Sequence, residues 1–346
     1  VFYKVKAIAA AGVKVHLHCF AYGRARSAEL DALCESVHYY KRNMNKTLLT
    51  HPLPFIVVSR QSTALFNRLM EDDYPILFEG KHSAYLLNHP DLASRKKFVR
   101  THNIESEYYK GLAKNAGFLK KQYFKRESKK LARFKENLKF ADGLFSISPN
   151  DATYFSQCAE TMFVPPFHAN EEVETPLKKE PYALYHGNLA VSENEEAAAY
   201  LIKEVFDKSD KRLVIYGSAP SQALSARVAS HQNIEIIKDE DLLSLIRNAQ
   251  VNVLPTFQAT GMKLKLLFSL FNGGHIVVNE PMVKDTGLET LCHIADSAEH
   301  MKQIIDFVWD RPLKEEELAR RNTLLQKQFS NKRNASKMLE RIFKDS

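Results

Sequence analysis

Short apolar runs of strand length alternate with stretches of helical periodicity along the 346-residue chain, and this alternation predicts parallel α/β sheets. After a helical opening (Val1–Ala11), strands are expected near Val13–Phe20, Val37–Tyr40, Ile76–Glu79, Phe98–Thr101, Gly143–Ile147 and Met162–Val164. Helices interleave near Ala28–Glu35, Ser62–Glu71, Glu105–Phe140 and Pro149–Cys158, the last opening with Pro149 behind Ser148. A polar, proline-marked stretch from Pro165 to Pro181 reads as a linker. A second series follows at Tyr182–His186, Leu213–Tyr216, Ile234–Ile237, Val251–Leu254 and His275–Val278, and helices close the chain at Glu299–Trp309, Lys314–Phe329 and Ala335–Phe343. The pattern predicts two Rossmann-like parallel-sheet domains, 1–165 and 166–330, with a ligand cleft between them and a terminal helix (331–346) returning to the first domain. A parallel α/β domain normally opens on a strand that feeds its first helix, so a strand and loop are expected ahead of Val1.

Composition adds little until charge is considered. With 45% hydrophobic and 26% charged residues the chain is globular in character, and no apolar run reaches the length of a membrane-spanning helix. No basic-then-apolar signal segment is legible, and Cys19, Cys34, Cys158 and Cys292 are scattered without metal-like spacing. Reduced thiols in a cytoplasmic protein are the expectation. The net charge of +8 is concentrated: between Lys110 and Lys139 there are eleven Lys or Arg against only Glu127 and Glu136. This segment is either an ordinary solvated helix face or a surface for anionic partners, a membrane among them.

The segment VNVLPTFQATGMKLKLLFSLFNGGHIVVN (Val251–Asn279) carries the clearest chemistry. It reads as buried strand, loop, helix opening at Gly261, a Gly273-Gly274 stop, and a second buried strand. Leu264, Leu267, Phe268 and Phe271 form a core-facing stripe on that helix. Lys263 in the first turn opposes the helix dipole and becomes favourable only with an anion bound. Thr260, Gly261, Lys263 and Lys265 at a helix mouth after a parallel strand therefore point to a phosphate-bearing ligand.

The pattern T-G-M-K-x-K-x-L followed by G-G and V-V resembles the donor-site signature of retaining GT-B nucleotide-sugar glycosyltransferases of the group one type, in particular bacterial members that build surface polysaccharide. VRTHNIESEYYKGLA (Val99–Ala113), FSISPND (Phe145–Asp151), VPPFHANEE (Val164–Glu172), YHGNL (Tyr185–Leu189) and LIRNAQVNVLPTFQATGMKLK (Leu245–Lys265) extend the resemblance over nearly the whole chain. It implies that His102 contacts the transferred sugar. It also implies that His186, Gly187 and Asn188 form the loop against the diphosphate, and that Thr260, Gly261 and Met262 face donor sugar and phosphates. Catalytic roles fall to His102 and Lys263, with Lys265 a further donor contact. The expected substrates are a nucleotide-diphosphate sugar and a saccharide or lipid-linked acceptor. Helix N–H groups and Lys263 can neutralise the departing diphosphate, and there is no DxD motif, so neither metal nor cofactor is expected.

The sequence departs from the family at two places: the glycine-rich turn after the first N-terminal strand is expected to lie ahead of Val1, and the donor-side glutamates are replaced. Registered on Gly261, Thr260 and Phe268 occupy the positions of a spaced pair of glutamates that contact sugar and ribose, and neither can accept paired hydrogen bonds from vicinal hydroxyls. Two alternatives thus stand beside the transferase reading: a catalytically degenerate sugar-nucleotide-binding or assembly protein, and a nucleotide-sugar epimerase. On the acceptor side Glu79, His82, Asn103 and Glu105 are candidates, with helix capping the competing role for Glu105 and Glu107. His16 and His18 share a strand face without a third ligand, Asn194 reads as part of a helix start, and Phe167 and Phe257 are candidate cleft walls. Nucleic acid is not an expected partner, since the basic segment carries no reading motif.

Overall fold

The computed structural model describes residues 1–21, 23, 25–114, 116–174, 179–257 and 264–344. The chain divides into unit 1, Val1–Phe167 with Phe329–Ser346, and unit 2, His168–Gln328.

Unit 1 carries strands β1 (His16–Ala21), β2 (Ser36–Lys41), β3 (Ile76–Glu79), β4 (Lys97–Thr101), β5 (Gly143–Ser146) and β6 (Thr161–Phe163). Among the described residues β1 and β2 pair in parallel, and β3-β4-β5-β6 form a separate parallel sheet in chain order. All of β4 is buried, and its two charged residues donate inside the unit: Lys97 Nζ to Leu92 O at 2.6 Å, and Arg100 Nη2 to Pro165 O at 2.8 Å, while Arg100 Nη1 is buried without a hydrogen-bond partner. One core joins Phe78, Val99, Leu144 and Phe155 with Leu65, Leu87, Leu92 and Leu138. The returning helix Asn331–Ile342 closes another, setting Met338 and Ile342 on Phe98 of β4 and Phe145 of β5.

The expected single helix over Glu105–Phe140 is instead Glu105–Lys114, Phe118–Phe134 and a 3₁₀ turn, Lys135–Phe140. Gly117 stands at the N-cap of the second helix. The two helices then pack together, with Ser128 Oγ donating to the backbone oxygen of Ser106 at 2.8 Å. The basic segment is correspondingly not all surface. Lys130 is buried against Glu127 at 2.7 Å, whose other oxygen accepts from Phe55 N at 2.6 Å. The solvent face keeps Lys125, Arg126, Lys129 and Arg133, with Phe118 and Leu119 exposed at its start.

Unit 2 carries β7 (Glu180–His186), β8 (Arg212–Tyr216), β9 (Ile234–Ile237), β10 (Ala249–Val253), β11 (His275–Asn279) and β12 (His293–Ala295). All neighbours are parallel in the order β12-β11-β10-β7-β8-β9. Counted from β7 this is the doubly wound order, which reverses between β7 and β10, so the crevice beyond their carboxyl ends is the ligand position of such sheets. Part of the presumed linker belongs to this unit. Asn170 Oδ1 accepts from Asn272 Nδ2 at 2.9 Å, Glu174 N donates to Phe271 O at 2.8 Å, and the His168 ring lies 4.7 Å from that of Phe271.

Candidate functional site

The carboxyl ends of β7 and β10 bring together several residues singled out in the sequence. The helix Ser192–Tyr200 follows the loop after β7, and the helix Leu264–Asn272 follows β10. His186, at the end of β7, is buried, and its Nε2 lies 2.9 Å from Ser269 Oγ. Burial, assisted by the Lys265 charge, pushes the His186 imidazole down to about 3, so it is neutral. Lys265 Nζ donates to Asn194 Oδ1 at 3.1 Å and to Tyr185 Oη at 3.3 Å, and lies 4.8 Å from the Tyr185 ring centroid. Tyr185 Oη donates in turn to the backbone oxygen of Asn194 at 2.9 Å.

The turn after β7 is tightly built. Asn188 accepts from Ala190 N through Oδ1 at 3.1 Å, and through its backbone oxygen from Asn194 Nδ2 at 3.0 Å. A Cβ on Gly187 would stand 2.9 Å from Asn194 Cγ, and one on Gly217 only 2.3 Å from the Gly187 carbonyl oxygen. Two strand-end loops thus meet backbone to backbone, which presents peptide groups rather than side chains. Thr260, Gly261, Met262 and Lys263 lie outside the described residues. Phe268 packs with Tyr216, Leu242 and Leu245 against the core formed by Tyr182, Leu184, Val214 and Ile246. An apolar side chain at this position is absorbed into packing and offers no acceptor for a hydroxyl pair.

In unit 1, Glu79 ends β3 and His102 follows β4, with His102 Nε2 2.8 Å from Glu79 Oε1. Glu79 Oε2 accepts from the buried Lys4 ammonium on the helix Phe2–Ala10. Burial alone would raise the Glu79 carboxyl, but Lys4 and then His102 outweigh it and hold Glu79 well below the usual carboxylate range. His82 folds under Gly80, whose φ of 81° places the loop over the ring; burial, then the charge of Arg60, pushes His82 down to about 4. Glu105 is buried and paired with buried Lys81 at 2.6 Å, with Lys81 5.1 Å from the Phe155 ring, so its carboxylate is engaged inside the unit. Asn103 Oδ1 is buried without a hydrogen-bond partner. Lys4, Lys81, Tyr185, Asn194 and Ser269 were not identifiable as site residues, because each meets its partner through the fold. Among the described residues no three His, Cys, Asp or Glu side chains group as metal ligands, and no helix is long and apolar enough to cross a membrane.

Residues 180–308, most of unit 2, match the family model described as Glycosyl transferases group 1. Unit 2 is a group 1 glycosyltransferase domain. The chain is also 24% identical over 310 residues to an uncharacterized 44.6 kDa protein in the cps region of Klebsiella pneumoniae, covering 80% of this chain and 77% of that one. Among solved structures it is similar to the N-terminal domain of Candida albicans trehalose-6-phosphate phosphatase, with a TM-score of 0.64 at 11% identity over 98% of this chain and 92% of that one. It is similar as well to a TarM variant from S. aureus solved with Fondaparinux, alpha-GlcNAc-glycerol and UDP, with a TM-score of 0.57 at 11% identity over 80% of this chain and 58% of that one. The chain thus spans less than two thirds of TarM. Beside the group 1 domain these likenesses speak to fold alone: two parallel α/β units of GT-B type.

Proposed function

We propose that the protein transfers a sugar from a nucleotide-diphosphate sugar to a saccharide or lipid-linked acceptor, with retention at the anomeric carbon and without a metal. One observation carries this reading: Lys265 is anchored by Tyr185 and Asn194 beside the side-chain-free Gly187 turn, at the reversal point of the unit 2 sheet. A fixed cation beside a turn without a bulky side chain suits a departing diphosphate, whose developing charge must be neutralised at close range. Thr260, Gly261, Met262 and Lys263 complete the proposed donor site, and His102 is the proposed sugar contact. The cps-region relative and the UDP held by TarM favour a uridine nucleotide and a polysaccharide product. Phe118 and Leu119, exposed beside Lys120, Lys125, Arg126 and Lys129, support a peripheral approach to an anionic membrane on the cytoplasmic side.

A panel of UDP, GDP, ADP, CMP and their sugars tests the proposal. The expected result is a raised melting temperature with one nucleotide class and acceptor-dependent transfer from its sugar. No stabilisation and no turnover across the panel would overturn it. The packing of Phe268 into the core favours a second reading, a degenerate GT-B binding protein; nucleotide binding with neither hydrolysis nor transfer would select it. Interconversion of the sugar without acceptor would select an epimerase instead.

A further inference from the structure

Glu79 and His102 were both read as ligand contacts, but their geometry gives them different duties. β3 and β4 run parallel with Glu79 opposite Arg100, and His102 lies two residues beyond Arg100, so it emerges on the same side and reaches back to the carboxylate. The charged groups around Glu79 are cationic: Lys4 from the helix Phe2–Ala10 and Arg100 from β4. His82 lies with its ring 6.3 Å from that of His102, while Arg60 and Arg42 act on His82. In this setting Glu79 stays ionised, and an ionised carboxylate only accepts hydrogen bonds. The proton of the His102–Glu79 bond therefore belongs to Nε2. His102 keeps 38% of its side chain exposed, and its Nδ1 has no hydrogen-bond partner among the described residues.

We propose that Glu79 is a positioning residue that fixes the His102 proton on Nε2 and leaves Nδ1 as a bare acceptor for a ligand hydroxyl. The duty of the carboxylate is to decide that His102 accepts and does not donate. Lys4 belongs to the same device, because its ammonium occupies the second carboxylate oxygen and keeps the first one for the imidazole. That the hydroxyl is a sugar's rests on the glycosyltransferase reading; the tautomer does not.

Glu79→Gln separates the two ideas. The Lys4 ammonium can only donate, so the amide oxygen must take it, and the amide NH₂ then faces His102. An NH₂ only donates, so the imidazole must move its proton to Nδ1 and lose the acceptor. Long-range ¹H–¹⁵N spectra of the full chain at pH 8, with His102→Gln to identify the signals, should show the neutral Nε2–H tautomer in the unaltered protein. They should show Nδ1–H in Glu79→Gln. Transfer should fall about 100-fold in kcat, with the donor KM changed by no more than about 2-fold. An Nδ1–H tautomer or an imidazolium in the unaltered protein overturns the proposal, as does Glu79→Gln with tautomer and kcat unchanged. If Glu79→Gln does not fold, the spectrum of the unaltered protein decides alone. If no donor turns over, the glycosyltransferase reading fails, and the tautomer still stands or falls on the spectra.

Discussion

Replacing Gly187 with alanine sets one methyl group against Asn194, a side chain held by two hydrogen bonds. The added Cβ would stand 2.9 Å from Asn194 Cγ and 3.1 Å from Asn194 Oδ1, so Asn194 must move. It is held by donation from Nδ2 to Asn188 O at 3.0 Å and by the Lys265 ammonium on Oδ1 at 3.1 Å. Displacement forfeits one exposed neutral hydrogen bond and one charge-assisted bond, together about 2 kcal/mol. The chain has a single tryptophan, Trp309, and it lies in unit 2, so denaturant unfolding followed by intrinsic fluorescence reports this unit separately. Asn194→Ala should cost about the same, since it removes the same two bonds. The double variant Gly187→Ala/Asn194→Ala should then be no worse than Asn194→Ala alone, a coupling of about 2 kcal/mol between adjacent sites. A loss under about 0.5 kcal/mol for Gly187→Ala, or effects that add within that margin, would refute the steric argument.

Acidification should weaken unit 2 through His186. Its folded value of about 3 lies below the ordinary 6.5, so under pH 6.5 the unfolded chain binds a proton that the folded chain refuses. Stability present above pH 6.5 is lost as pH falls toward 3, at up to about 1.4 kcal/mol per pH unit, and His186→Gln should remove that slope from a pH series of Trp309 unfolding curves. In unit 1, Glu105→Ala should lower stability by about 3–5 kcal/mol because it strands buried Lys81, whereas Lys81→Met with Glu105→Leu should recover most of the loss in a thermal melt. Arg321→Met should cost about 2–4 kcal/mol in the fluorescence assay, because the buried guanidinium donates to the backbone oxygens of Gly273 at 2.8 Å and Gly274 at 2.9 Å behind the helix Leu264–Asn272.

The strand positions were legible because buried parallel strands are short apolar runs, and β4, β7, β10 and β11 lie close to the segments read for them. Gly187 entered as a site candidate through the family resemblance, and Lys265 as a cation at a helix mouth after a parallel strand. The helix over Glu105–Phe140 was misread as continuous because its periodicity resumes in register after Gly117, and only tertiary packing tells a turn from a tolerated glycine. Asn194 looked like any polar residue in a helical first turn. Its partners, six residues before it and 71 after it, meet it only once β7 and the helix Leu264–Asn272 lie side by side. Lys4 and Glu79, 75 residues apart, were invisible as a pair for the same reason. Phe268 had been weighed as a lost glutamate; its burial with Tyr216 adds that the space itself has been taken over.

The returning helix Asn331–Ile342 has a consequence for biosynthesis. Its Met338 and Ile342 complete the core around Phe98 and Phe145, so the unit whose strands precede unit 2 in the chain cannot finish this core until a helix that follows unit 2 emerges. Unit 2, one uninterrupted segment, is free to fold earlier. The order of synthesis and the order of completion are therefore reversed. During that interval Phe98 and Phe145 lack their cover, which makes the nascent first half the stage most dependent on chaperone protection.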